Sequence, residues 1–73
     1  MATIEFRGTY VEYDETCAKS YKWQKLISRN DITAIEMLFF GHDEEVADTF
    51  GDDSDVMQEL VLACITASKQ AKN

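Results

Sequence analysis

Residues 54–71 read SDVMQELVLACITASKQA, and this stretch decides how the rest of the chain is arranged. Val56, Met57, Leu60, Val61, Cys64, Ala67 and Ala71 recur at spacings of three and four, which lines them along one side of a helix. Ser54 is a natural N-cap, Asp55 suits the positive start of the helix, and Lys69 and Lys72 suit its negative end. Such a helix is roughly 25 Å long at ~1.5 Å per residue, the width of a small domain. Most other elements of a 73-residue chain must therefore touch it.

The length fits one domain over residues 1–73. A core of this size contributes only about 3–5 kcal/mol of net stability, so association with a partner or with further copies is a natural supplement. A hydrophobic content of 45% argues against disorder despite a net charge of −7. The chain has no proline and three glycines, and neither a linker nor an internal repeat is evident. No basic segment precedes an apolar one at the N-terminus, and the longest apolar run, Leu60 to Ile65, is too short to cross a bilayer. These features imply a soluble protein of the cytoplasm, with Cys17 and Cys64 as reduced, buried thiols.

Ahead of the long helix, ATIEFRGTYVEY (2–13) alternates as a β-hairpin turning at Arg7-Gly8. A two-residue loop sets Phe6 against Thr9, Ile4 against Val11 and Ala2 against Tyr13, with Tyr10 on the outer face. Arginine is not the favoured first residue of such a turn, so a slightly longer loop is the alternative. A helix from about Glu15 to Arg29, capped by Asp14, would gather Cys17, Ser20, Tyr21, Trp23, Gln24 and Ile27 on one side and Lys19, Lys22, Lys25 and Arg29 on the other. A second helix runs from the Asp31 cap to Phe40, apolar nearly all round, with Gly41 ending it. A third, short one follows Asp43 and closes at Gly51. The fold class is α+β: an N-terminal hairpin followed by three to four helices packed on one face, the last of them long.

No residue pattern spells out catalysis. His42 is the only histidine, beside Asp43, Glu44 and Glu45, and one histidine with exposed carboxylates does not make a metal centre. Asp48 to Glu59 has the outer frame of an EF-hand loop, but Phe50 and Asp53 occupy positions that need an oxygen ligand and a glycine. Neither a nucleophile–base pair nor a phosphate-binding loop is present. The expectation is a non-enzymatic protein with no catalytic, cofactor or metal-binding residues.

Charge and surplus apolar surface say more. Residues 43–59 carry eight of the fourteen acidic residues and no lysine or arginine. Solvated helix starts account for much of this. The sharper reading is self-association, with Lys19, Lys22, Lys25 and Arg29 of one copy meeting Asp48, Asp52 and Asp53 of another. At a sequence pI of about 4.4 the molecule repels phosphate, so a nucleic-acid partner is not expected. Leu62 and Ile65 point away from the main stripe of the last helix, and Tyr10 lies outside the hairpin. These three, with Trp23 if partly exposed, form the candidate surface for a protein partner.

IEFRGTYVEYDE, the aromatic-basic YKWQKLISRND, IEMLFFGHDEEVADTFGDD and the closing apolar helix ending in KQAKN together resemble the small tail assembly chaperones of tailed bacteriophages and prophages. The resemblance lies in the order of residue types rather than in a signature motif. It implies a non-enzymatic protein of the host cytoplasm that binds the long helical tape measure protein while the tail polymerises. It carries over no catalytic residues and no fixed binding motif. Two alternatives stand beside it: an acidic decoy that inhibits a host nucleic-acid-binding or restriction protein, and a structural tail or head-completion subunit.

Overall fold

Strands β1 (Ala2–Phe6) and β2 (Thr9–Tyr13) pair antiparallel, with Ala2 opposite Tyr13, Ile4 opposite Val11 and Phe6 opposite Thr9. The computed structural model describes residues 2–70, the side chain of Gln70 excepted. The loop is the tight two-residue one, with Arg7 and Gly8 both left-handed at φ 53° and 82°. Arginine accepts this conformation with its side chain engaged on both sides. Its guanidinium lies 5.4 Å from the Phe6 ring centroid and 2.9 Å from a carboxylate oxygen of Glu59. The register turns Ala2, Ile4, Phe6, Val11 and Tyr13 inward and leaves Tyr10 outside.

The single helix expected over 15–29 is replaced by two pieces. Asp14 does not cap a helix: its carboxylate accepts from the backbone N–H and the hydroxyl of Thr16, at 3.0 and 2.6 Å. Its own N–H donates to the Leu38 carbonyl at 2.8 Å. One 3₁₀ turn follows at Cys17–Lys19, Ser20 is extended, and α1 begins only at Tyr21 and ends at Ser28. The Ser20 hydroxyl caps it by accepting from the Trp23 N–H. Short polar side chains at 14 and 20 thus compete with a continuous helical ladder and break it. The break moves Tyr21 to an exposed position, off the apolar side on which a continuous helix places it.

Helices α2 (Ile32–Leu38), α3 (Asp43–Thr49) and α4 (Ser54–Gln70) complete the fold. Asp31 caps α2 as expected, accepting from Thr33 N–H. α4 is capped by Asp53 rather than Ser54, because the Asp53 carboxylate accepts from the N–H groups of Asp55 and Val56. The first three helices end alike, in a left-handed residue followed by a long backbone return. The returns run from Asp31 N–H to the Leu26 carbonyl, from Gly41 N–H to Glu36, and from Asp52 N–H to Ala47. The left-handed positions are Asn30, Phe40 and Gly51. At the end of α2 it is therefore Phe40, not Gly41, that takes the first left-handed position. Bulky side chains rarely tolerate that conformation.

At Gly51, with φ +82°, an added Cβ would meet no atom within 4 Å, so Gly51→Ala introduces backbone strain alone. A loss of about 1 kcal/mol is expected, strain set against the smaller entropy of the unfolded alanine chain. Urea titration of the two proteins measures it.

The core is built from both halves of the chain. Trp23, Leu38, Phe39, Leu60 and Cys64 are fully buried, joined by Val11, Tyr13, Cys17, Ala34, Met57 and Val61. On α4 the buried stripe is Met57, Leu60, Val61, Cys64 and Ser68, with Val56 and Ala67 half-buried. Ala71 and Lys72, read as part of the same helix, lie outside the described residues. α2 is not apolar-buried all round: seven residues bury Ala34 and Leu38 and leave Ile32 and Met37 exposed. α3 has no fully buried residue; Asp43, Val46 and Ala47 are half-covered, with Phe50 beyond its end.

Candidate functional site: two grooves beside the hairpin

The hairpin is a two-stranded sheet, and each of its edges borders a helix across a groove. On the β1 side lies α4. A groove of about 540 Å³ runs between them, lined by Ile4, Phe6, Glu59, Leu62, Ala63, Thr66 and Ala67. Leu62 is 63% exposed and forms one wall. Ala63 and Ala67 leave room beside it, and the Arg7–Glu59 ion pair closes the turn end. That pair is exposed on both sides, so it positions the wall more than it stabilises the fold.

On the β2 side lies α3. The Phe6 and Phe50 rings meet edge to face at 5.4 Å, which fixes the end of α3 near the hairpin turn. The Asp14–Leu38 hydrogen bond fixes the end of α2, just before α3, at the opposite end of the hairpin. α3 and the residues flanking it thus face β2 across a groove. The groove, about 470 Å³, takes in four consecutive β2 residues, Thr9 to Glu12, Thr3 of β1 opposite Glu12, and Phe39, Phe40, His42, Glu45, Val46, Thr49 and Phe50. Tyr10 at 74% and Phe40 at 46% are its exposed apolar members.

The candidate contact residues separate on this frame. Leu62 and Tyr10 are exposed as expected but belong to different grooves. Ile65 is half-buried and packs against the core, because the α4 stripe is broad enough to draw it in. Trp23 is not a surface residue: it is 1% exposed, and its indole N–H donates to the Ala34 carbonyl at 2.8 Å. The sequence reading did not single out Phe40, Ile32, Met37 or Tyr21 as exposed. For Ile32 and Met37 the signal was the shortness of the second helix, since a two-turn helix buries only one side.

Of the charged residues singled out for self-association, Lys22, Lys25 and Arg29 sit at α1 and its end, all exposed. Lys25 lies 5.7 Å from the Tyr21 ring centroid. Lys19 falls on the preceding 3₁₀ turn, across the break at Ser20, and so does not share their helix face. Asp48 and Asp52 are exposed, whereas the Asp53 carboxylate is committed to capping α4.

Among the described residues no group of three or more His, Cys, Asp and Glu side chains could hold a metal ion. His42 is exposed, with Nδ1 3.6 Å from a Glu45 oxygen. Both cysteines are free and buried. Burial pushes the Cys17 thiol up to about 11, with the Asp14 carboxylate adding to the effect. Burial alone pushes Cys64 up to about 12. The folded state thus favours the neutral thiols. Their contribution to stability is full below the ordinary thiol value of 9.0 and is lost as pH rises toward 11–12. Neither thiol is expected to react with Ellman's reagent at pH 8 until the chain is denatured, when both should, as absorbance at each urea concentration will show.

No family model matches this chain, nor does any curated protein or solved structure. No helix among the described residues is long and apolar enough to cross a membrane.

Proposed function

We propose that this chain is a non-enzymatic protein-binding domain that receives an apolar helix, as a tail assembly chaperone does for the tape measure protein. The observation that supports the reading is Leu62, a large apolar side chain left outward at the wall of the α4–β1 groove by a core that closes without it. Ile4, Phe6, Ala63 and Ala67 extend the apolar lining on either side of it. An amphipathic helix docks in such a groove through side chains spaced three and four apart. The net charge of −7 keeps a protein with exposed leucine and tyrosine dispersed. The cytoplasm of a phage-infected or lysogenic host is the compartment this role requires. Resemblance to the chaperones in residue order supports the same reading and names its partner.

The test is co-expression with the tape measure protein, whose very long gene would lie downstream in the same operon. The chain should keep that protein in the soluble fraction, and the complex should survive raised salt, because apolar docking is weakly screened. A complex that dissolves steeply with ionic strength contradicts this reading. That result favours the acidic decoy, for which the exposed run of acids at 43–59 without a lysine or arginine would be the contact surface.

A further inference from the structure

We infer that the β2 edge is a second docking site, one that takes an extended, lysine- or arginine-bearing peptide as a third strand. A two-residue turn makes Phe6 and Thr9 a hydrogen-bonded pair, and alternation then makes Glu5–Tyr10 and Thr3–Glu12 the non-bonded pairs. The backbone N–H and C=O groups of Tyr10 and Glu12 therefore point out of the ladder into the α3 groove. Among the described residues no other strand and no backbone group of another element pairs with them. An exposed row of this kind is a template for strand addition.

The groove identifies its occupant. Its chargeable lining consists of Glu12, Glu45 and the single histidine His42, with no lysine or arginine. α3 beside it opens with Asp43, Glu44 and Glu45. A cationic strand is matched to that wall, whereas a second copy of this chain, at −7, would bring Glu12 against its own kind. The floor offers Val11 and Phe50, so alternate apolar residues of the strand have somewhere to go. α3 is suited to close over it. No residue of the helix is fully buried, and it is bounded by left-handed positions at Phe40-Gly41 and Gly51-Asp52. A strand laid between β2 and α3 would cover the half-exposed side of Val46 and Phe50 and give the helix the packing it lacks.

The probe is a short fluorescein-labelled peptide of alternating lysine and valine, read by anisotropy and by amide shifts of the isotope-labelled chain. Binding should perturb Tyr10 and Glu12 and slow exchange of their amides. The same peptide N-methylated at the alternate backbone nitrogens that would face β2 should bind at least about tenfold more weakly, since its donors to the strand are blocked. A glutamate–valine peptide should not bind. Leu62→Ser, decisive for helix docking across the hairpin, should leave this binding unchanged, so the two sites stand or fall separately. Equal affinity for the N-methylated peptide overturns the proposal, as does a shift pattern centred on α4. Protection of Tyr10 and Glu12 that rises with protein concentration alone overturns it in favour of a second copy.

Discussion

Trp23→Ala is expected to leave the chain unfolded at room temperature. The side chain is 1% exposed and is the largest of the fully buried group. Truncating a buried tryptophan to alanine costs ~3–5 kcal/mol through lost transfer energy and an unfilled cavity. The indole N–H also holds the Ala34 carbonyl at 2.8 Å, in the middle of α2 and in a buried setting. That carbonyl keeps its place in the α2 ladder but loses its second donor, which adds about 1 kcal/mol. The sum meets or exceeds the roughly 3–5 kcal/mol that a single core of this size supplies. Far-UV circular dichroism and a urea titration will show the loss of both helix signal and cooperative transition. Trp23→Phe keeps most of the packing and gives up the hydrogen bond, so it should fold with a lowered urea midpoint. A Trp23→Ala protein that folds with wild-type stability would mean that the indole is not the centre of the interior.

The second large effect contrasts two leucines on one helix. Leu60 is 0% exposed and Leu62 63% exposed, two residues apart on α4. Positions two apart point about 200° away from each other on a helix, so one faces the core and the other the groove. Leu60→Ala should cost ~2–5 kcal/mol, most of the available stability. Leu62→Ala should fall within about 0.5 kcal/mol of wild type, as surface substitutions do. Thermal melts of the two variants decide it. Equal destabilisation would mean that Leu62 is packed in the native state, and the groove beside it would then be no groove.

The hairpin and its register were legible in the sequence because alternation fixes which face each residue takes, and a one-residue slip would have exposed Ile4 and Val11 together. α4 was legible for a similar reason, since a long periodic stripe leaves one solution for the core side. The middle of the chain was not. A charge-and-apolar wheel over 15–29 is consistent with one helix, and nothing in residue order says that Asp14 will turn back on Thr16 or that Ser20 will restart the helix. That choice also decided Trp23, whose burial depends on an acceptor, the Ala34 carbonyl, in a different helix. Leu62 was found as an outlier from its stripe, which is a local property. The groove around it was not found, because Ile4 and Phe6 come from the other end of the chain. Phe40 escaped for want of a local signal: a glycine follows it, and the left-handed turn fell one residue early.

The proposed capture of an apolar helix depends on Leu62 being outward for a purpose that an exposed apolar residue remote from both grooves does not share. The most direct measurement is co-purification of the proposed partner, the tape measure protein, with wild type, with Leu62→Ser, and with Ile32→Ser as a control. Ile32 is also exposed, at 64%, but lies on α2 and lines neither groove. With all three folded by circular dichroism, wild type and Ile32→Ser should retain the partner and Leu62→Ser should lose it. Retention by Leu62→Ser, or equal loss by both variants, would contradict the assignment of the α4–β1 groove as the docking site.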